Sequence, residues 1–410
     1  MSQPSPTLAQ LPEHAPADVT AASLAQPGPV EVANVDGHKR SLVVPATIAF
    51  VLIGITGLLV AAFLIASLGT GAVAIAGFMA LVPLVAVLLG IRWIDRWERE
   101  PRVLLIFCFL WGAITSIFVA LLVGVSVEIF QDGIGTPAGD RDFLGSVIQA
   151  PVAEEAVKGF GVLILFLVAR KYFDGPVDGV VYAATIAAGF AFTENILYFG
   201  AELLGAGSVS GVIGVFVIRG VMSPFAHVMF TICTGVAIGL ATRRRGRAAG
   251  FFAYLVGLVP AMALHALWNG ATMVVADDFL LYYLVVQMPL FFGAVTLVIL
   301  LRRAESRLTR TRLDEYAAAG WYNASEIPAL ATPAGRRQAM SWARARGLGI
   351  VMRGYIADST RLAFIRQRML NGHGVAEAQA EEAAMLAAIV SRRAALLTEP
   401  PTTSAAAGIG

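Results

Sequence analysis

The stretch VVPATIAFVLIGITGLLVAAFLIAS, residues 43–67, decides the fold class of this chain. It contains no charged residue, and it exceeds the roughly 20 apolar residues that a helix needs to cross a bilayer. A second uncharged stretch, GAVAIAGFMALVPLVAVLLGI, follows almost at once at residues 71–91. Because water solvates two such helices in tandem very poorly, we predict that both cross a membrane.

The composition of the whole chain agrees with this interpretation. The 410 residues are 57% hydrophobic and only 14% charged, with a mean hydropathy of +0.73. A soluble chain is about a quarter charged, so a set of water-soluble domains is excluded. A net charge of +2 does not indicate the concentrated basic surface that binding to nucleic acid requires, so we expect no nucleic-acid partner. Cys108 and Cys233 lie in apolar runs and predict neither a disulfide framework nor a zinc–thiolate site.

The apolar runs predict an all-α, polytopic helical protein of the cell membrane with about eight transmembrane helices. Every second loop between them is rich in arginine and lysine, as the loops after residues 91 and 242 illustrate. Basic loops face the cytoplasm, so we predict that both termini are cytoplasmic, N-in and C-in. The predicted spans are residues 43–67, 71–91, 103–126, 144–169, 178–200, 221–241, 250–274 and 281–301.

Three regions follow from this division of the chain. Residues 1–41 are rich in proline, alanine, serine and glutamine, and predict a disordered cytoplasmic tail. Residues 42–303 contain the membrane spans. Residues 304–410 turn polar and predict a small cytoplasmic helical appendage with a loose end. Alanine, leucine, arginine and glutamate recur there at helical spacing over 333–372 and 375–398, split at Asn371-Gly372-His373-Gly374.

Ionisable and amide side chains inside the spans are the strongest functional signal. A charge near the bilayer centre costs at least a few kcal/mol, so such residues mark function by default. Counting about 1.5 Å per residue from the predicted span ends places them in one layer, toward the outer half of the membrane. They lie in spans four to seven and are Glu154, Glu155, Lys158, Glu194, Asn195, His227, His265 and Asn269.

The chemistry available to this layer is hydrolytic. A carboxylate can take a proton from water, and imidazole or carboxylate can bind a metal ion that activates water. Two histidines with one carboxylate form the ligand set of many soluble zinc proteases. We therefore predict Glu194, His227 and His265 as metal ligands, with zinc as the cofactor.

The adjacent carboxylates of span four complete the predicted catalytic group. Either Glu154 or Glu155 could be the base, and the other could be a ligand or an ion-pair partner. Lys158 lies three and four residues further along the helix and can reach both carboxylates. Asn269 shares a helix face with His265, so its amide could orient the imidazole or donate to an oxyanion.

Two other polar residues leave alternatives open. Asn195, like Asn269, could equally be an interhelical hydrogen-bonding residue, as amides in membranes often are. Arg219 could bind a substrate carbonyl, but we favour an orientation toward the outer headgroups.

The motifs together resemble those of PrsW-type intramembrane proteases, bacterial relatives of the CAAX prenyl endopeptidases. The resemblance rests on Glu154-Glu155 with Lys158, on Phe190 with Glu194-Asn195, on His227, and on His265 with Asn269. The loop Asp95-Arg96-Trp97-Glu98 is similar too, and about residues 90–300 are covered.

This resemblance implies an activity and its partners. It implies a metalloprotease in the lipid bilayer that cuts membrane-associated proteins, such as an anti-sigma factor, near the extracytoplasmic side. The CAAX relatives imply a second possibility, in which a Glu/His set activates water without zinc.

Two functions of other classes compete with the protease. A proton-coupled transporter could use the same carboxylates as a relay. A transporter predicts polar residues at several depths and often an internal repeat, whereas this chain has one layer and no evident repeat. A non-catalytic scaffold that acts through the C-terminal appendage is the third. The single layer favours the protease.

Overall fold

The computed structural model describes residues 35–205, 209–243, 246–275, 278–372 and 374–397. Within these residues the regular elements are all helices, which confirms the all-α prediction. The chain divides after Leu301 into two compact units. We call residues 35–301 the membrane unit and residues 302–397 the C-terminal unit, and describe each by itself.

The principal helices from the start of the membrane unit are labelled α1 to α8, and α8 continues past Leu301 into the C-terminal unit. Residues 1–34 of the predicted tail lie outside the described residues, and residues 35–41 already belong to the first helix. The helices are α1 (Val35–Ile94), α2 (Arg102–Gly133, with a π-helical turn at Trp111–Ser116), α3 (Ala150–Val168), α4 (Pro176–Leu204), α5 (Val209–Phe216, extended by a π-helical turn at Val217–Met222), α6 (Ala226–Leu240), α7 (Arg247–Val274) and α8 (Met288–Ala318).

Six helices of the described chain are long and apolar enough to cross a membrane. They are Ala46–Ile94, Arg102–Gly133, Pro176–Leu204, Val209–Leu240, Ala248–Val274 and Phe279–Ala318. The first contains two predicted spans, since Gly69 breaks it with a φ of 74°. The fourth predicted span lies on α3. Its three charged residues make α3 less apolar than the six helices listed above. Seven of the eight predicted spans thus fall on helical segments and the sixth is interrupted, while the count of crossings and the orientation stay predictions.

Helix α4 lies at the centre of the membrane unit. Of its apolar window, 78% is buried, against 11% for Val209–Leu240. Its first turn is capped by Asp178, whose Oδ2 accepts a hydrogen bond of 2.8 Å from the Gly175 N–H. A Cβ on Gly179 would lie only 2.0 Å from the carbonyl oxygen of Gly235, so glycine permits the close approach of α4 to α6. This central helix supports the residues of the site described below.

The sixth predicted span differs from the structure. We expected one helix over 221–241, but α6 begins at Ala226 and a separate helical segment occupies 209–222. Pro224 explains the interruption, because proline has no N–H for the helical ladder. Ser223 stabilises the break, its Oγ donating to the Ile218 carbonyl at 2.7 Å. The break places His227 in the first turn of α6.

The C-terminal unit is a small helical cluster. Its buried core includes Leu313, Leu330, Tyr355 and Leu362. The stretch at helical spacing over 333–372 forms two helices in the structure, because the chain breaks at Gly347, where a φ of 72° favours glycine. Residues 398–410 lie outside the described residues. The helices that follow α8 are α9 (Glu326–Ala331), α10 (Pro333–Ala345), α11 (Gly349–Leu370) and α12 (Val375–Leu397).

Candidate active site

Four helices of the membrane unit bring most of the predicted polar side chains into one buried group. Helix α3 contributes three of them, α4 two, and α6 and α7 one histidine each. Burial is nearly complete, the exposed fractions being 0% for Glu155, 2% for His265, 8% for Glu154 and 9% for His227. Such groups are expensive to bury singly, so their mutual contacts decide whether the layer is stable.

Lys158 lies at the centre of this group and is fully buried. Its Nζ donates to Glu155 Oε1 at 2.8 Å and to Glu154 Oε2 at 3.2 Å. The same nitrogen lies 3.3 Å from His227 Nδ1 and 3.7 Å from the centroid of the Phe190 ring. The ammonium therefore has acceptors on several sides and a favourable aromatic face. Its role in the structure is to balance the two adjacent carboxylates.

Glu155 is the more enclosed of the two carboxylates. Besides Lys158 it contacts His265, whose Nδ1 lies 3.0 Å from Glu155 Oε1. The Thr231 hydroxyl donates to Glu155 Oε2 at 2.8 Å. A carboxylate that accepts from one imidazole nitrogen fixes the ring and leaves the other nitrogen available to a ligand. The geometry thus favours Glu155 as the group that orients His265.

Glu154 faces the space between the two histidines. Its carboxylate and the rings of His227 and His265 offer ligand atoms that all lie within 4.8 Å of one another. In the described part of the chain, this is the group of three that could hold a metal ion. The predicted ligand set has Glu194 in place of Glu154, and that assignment stays a prediction. Glu194 pairs with Arg219, and its Oε2 lies 2.8 Å from His227 Nε2.

This donor set fits a divalent metal in type and number. Two imidazoles and a carboxylate with one open position are the ligands of catalytic zinc sites. Ligand atoms about 2.1 Å from a tetrahedral ion lie roughly 3.4 Å apart. The 4.8 Å limit is wider, so binding would require the side chains to move inward by rotation. The donors define a possible metal site and leave the identity of the metal open.

Arg219 belongs to the polar group, contrary to our expectation that it faces the headgroups. Its guanidinium pairs with Glu194, and its Nε donates to Asn195 Oδ1 at 2.9 Å. Its Cζ lies 3.8 Å from the centroid of the Tyr198 ring. Asn195 is therefore an acceptor for Arg219. Arg219 supplies the second cation of the layer, beside Lys158.

Asn269 lies apart from these contacts. Its Nδ2 donates to the Ser146 carbonyl at 2.8 Å and so ties α7 to the segment before α3. Two contact residues of the site were not predicted, Thr231 and Phe230. The Phe230 ring stacks on His265 with centroids 4.9 Å apart. Spacing gave a weak signal for both, since each lies about one turn beyond His227.

Comparison with known proteins finds sequences that resemble the segment carrying this site. Residues 100–294 match the model of the PrsW family, described as an intramembrane metalloprotease family. The Protease PrsW of Clostridioides difficile (strain 630) is 34% identical over 164 residues. The resemblance to PrsW-type proteases is confirmed. The matched segment contains the four helices that carry the PrsW-like site.

Other relatives and their coverage define how far the likeness extends. The Clostridioides match covers 38% of this chain and 63% of the relative, less than two thirds of its length. The Protease PrsW of Geobacillus kaustophilus (strain HTA426) is 30% identical, over 36% of this chain and 58% of its own. The Protease PrsW of Bacillus subtilis (strain 168) is 27% identical, over 43% of this chain and 72% of its own. No solved structure gives a significant match.

The PrsW likeness bears on two sequence predictions. Together with the apolar helices it supports a multi-pass protein of the cell membrane. The transporter alternative gains no support from it. The PrsW-like segment ends before the C-terminal unit begins.

Proposed function

We propose that this chain is an intramembrane endopeptidase that hydrolyses peptide bonds of membrane-associated proteins. The observation that carries the proposal is the convergence of Glu154, His227 and His265 within 4.8 Å inside a membrane unit. Hydrolysis requires a base and a polar environment in a region that otherwise excludes both. This group supplies them at one point.

Glu154 is the proposed base. Its side chain is 11% exposed, whereas the side chain of Glu155 is fully buried and saturated with partners. A base must reach the proton that it removes, and a partly accessible carboxylate beside two imidazoles can do so. Glu154 would take a proton from the attacking water and return it to the leaving amine. Lys158, 3.2 Å away, holds the carboxylate in place.

Glu154, His227 and His265 would also hold the metal, for which we propose zinc. When bound, the ion would supply Lewis-acid activation of water. One carboxylate oxygen of Glu154 suffices as a ligand atom, so its second oxygen remains for the proton. Glu155 would orient the His265 ring so that its other nitrogen can bind the metal.

Asn269 and Asn195 receive supporting roles in this proposal. The Asn269 amide has two N–H donors, and the Ser146 carbonyl engages one of them, so the second can donate to the substrate carbonyl oxygen. Asn195 holds Arg219 in place beside Glu194. Neither assignment alters the role of Glu154.

The proposed substrates are membrane proteins that present an extended segment to the layer. The predicted depth of the layer favours cleavage near the extracytoplasmic side. An anti-sigma factor anchored by one transmembrane helix has the architecture that fits, and we propose this class as the first to test.

The test compares new protein termini in reconstituted membranes. Purified chain is added to vesicles made from a bacterial membrane extract, and mass spectrometry records the peptide ends that appear. We expect ends produced by the wild-type chain and absent with Glu154→Gln and His265→Ala. Glu128→Gln, which alters an exposed carboxylate on α2, is the matched control and should cleave like the wild type. Equal cleavage by Glu154→Gln would contradict the proposal.

A further inference from the structure

The C-terminal unit carries an excess of positive charge that the PrsW-like site does not use. Residues 302–397 contain fifteen arginines, no lysine and eight acidic residues, a formal net charge of +7. The whole chain has a net charge of only +2. The basic excess is therefore concentrated in this unit, and a surface that attracts anions follows from it.

Part of this charge is neutralised within the unit. Arg312 and Arg366 pair with Glu315, Arg392 pairs with Asp358, and other arginines pair similarly. Another set is exposed, and the ion pairs recorded for the described residues include none of its members. This exposed set consists of Arg337, Arg344, Arg346, Arg353 and Arg361.

The turn between α10 and α11 gathers three of the exposed arginines around an apolar side chain. Ile350 is 83% exposed, an unusual state for isoleucine. A Cβ on Gly349 would lie 3.1 Å from Arg344 Cγ, so the arginine stem lies against the first residue of α11. Arg353 lies one helical turn beyond Ile350. We call Arg344, Arg346, Ile350 and Arg353 the basic turn.

Trp342 extends the apolar part of the same surface. The Arg346 guanidinium lies 4.4 Å from the centroid of the Trp342 ring. Arginine stems and an indole ring present apolar bodies beneath polar tips, as side chains at a membrane interface do.

We propose that the basic turn binds the surface of a bilayer that contains anionic phospholipids. Guanidinium groups around an exposed isoleucine match a charged headgroup layer above an acyl region. The chain enters this unit directly from the last predicted span, so the bilayer is always within reach and the effective concentration is high. A nucleic acid would satisfy the arginines but would leave Ile350 in water. Lipid satisfies both.

The experiment measures the depth of the basic turn in nanodiscs that hold the full chain. Ile350→Cys carries an environment-sensitive NBD label, in a background where Cys108 and Cys233 are alanine. An NBD label at Ala384→Cys, on an exposed position of α12, is the matched control. Discs contain phosphatidylcholine alone or with phosphatidylglycerol, and spin-labelled lipids quench NBD that enters the bilayer.

The proposal expects a blue shift and quenching at position 350 only in discs with phosphatidylglycerol, and neither at position 384. Changing Arg344, Arg346 and Arg353 to Gln should weaken docking about a hundredfold, at about 1 kcal/mol per arginine. The same three changes to Lys should preserve it, and this variant also controls for misfolding. Equal emission in both disc types, or full docking by the Gln variant, would overturn the proposal. A response only to added nucleic acid or acidic protein would overturn it too.

Discussion

The roles of the adjacent carboxylates lead to a prediction about Glu155→Gln. Glu155 is fully buried and engages Lys158 at 2.8 Å, His265 at 3.0 Å and Thr231 at 2.8 Å. Glutamine keeps the shape of the side chain but loses its charge. Of the two carboxylates that Lys158 contacts, only Glu154 would then remain. Breaking a buried ion pair costs about 3–5 kcal/mol. At about 2–4 °C per kcal/mol, the Tm of Glu155→Gln should fall by about 10 °C.

Glu154→Gln should behave differently. This carboxylate has a longer contact to Lys158, 3.2 Å, and retains some exposure, so we expect a loss of only about 1–2 kcal/mol. Because Glu154 is the proposed base, its turnover should fall at least about a hundredfold. Glu155→Gln should lose about 10- to 100-fold through misplacement of His265.

The assay combines two measurements on the same purified protein in detergent. Tryptophan fluorescence follows thermal unfolding, and cleavage of a substrate found by terminal mapping gives the turnover. Trp111 is a useful probe, since its indole N–H donates to the Val157 carbonyl on α3 at 3.0 Å. A Tm for Glu155→Gln within about 2 °C of the wild type would refute the division of roles. A larger fall in Tm for Glu154→Gln than for Glu155→Gln would refute it too.

Four further predictions concern other parts of the molecule. Arg219→Gln should lower kcat about tenfold by releasing Glu194, and Arg219→Lys should restore part of it; equal kcat for all three proteins would contradict this role. Gly179→Ala should destabilise the membrane unit by about 3 kcal/mol in thermal melts, because its Cβ would lie 2.0 Å from the Gly235 carbonyl oxygen. Gly214→Ala is the control and should leave the stability unchanged, because its Cβ would meet no atom within 4 Å. Burial raises the pKa of Asp95 from 3.8 to about 6, so the native state binds its proton more tightly and stability should rise as the pH falls from 7 to 5. Solvent screening of this partly exposed group limits the gain to about 0.5–1 kcal/mol, and Asp95→Asn should lack it in melts at both pH values. Removal of bound metal by a chelator should abolish cleavage, with the metal content measured by mass spectrometry and activity restored by zinc; full activity in a metal-free sample would contradict the zinc proposal.

The helical architecture could be predicted because the bilayer simplifies the problem. Every backbone group must be satisfied within its own helix, so length and hydropathy suffice to locate spans. Counting residues from the predicted span ends also put Glu154, Glu194, His227 and His265 at one depth. Depth along a helix depends only on counting residues, which the sequence permits.

The partners within the layer could not be predicted in the same way. Counting fixes the height of a side chain but neither the rotation of its helix nor its rotamer. Glu194 was therefore expected beside His265, whereas the structure gives it to Arg219 and places Glu154 in the group of three. Arg219 was misplaced because the predicted span began at 221, while the helical segment begins at Val209.

The C-terminal unit shows a second limit. Alanine, leucine and arginine at helical spacing continue past Gly347 and outweighed the stop signal that a glycine after Arg344 and Arg346 gives. A left-handed φ at one glycine ends α10 and lets α11 start in a new direction. The basic turn depends on that break, so it was missed together with the break.

The central claim is that Glu154, with His227 and His265, activates water for peptide-bond hydrolysis. The most direct measurement is cleavage of a reconstituted single-span substrate in water enriched in oxygen-18, with the product analysed by mass spectrometry. We predict one heavy oxygen in the new terminal carboxyl group with the wild-type chain and with Glu128→Gln, and no cleaved product with Glu154→Gln. Cleaved, labelled product from Glu154→Gln at the wild-type rate would contradict the account.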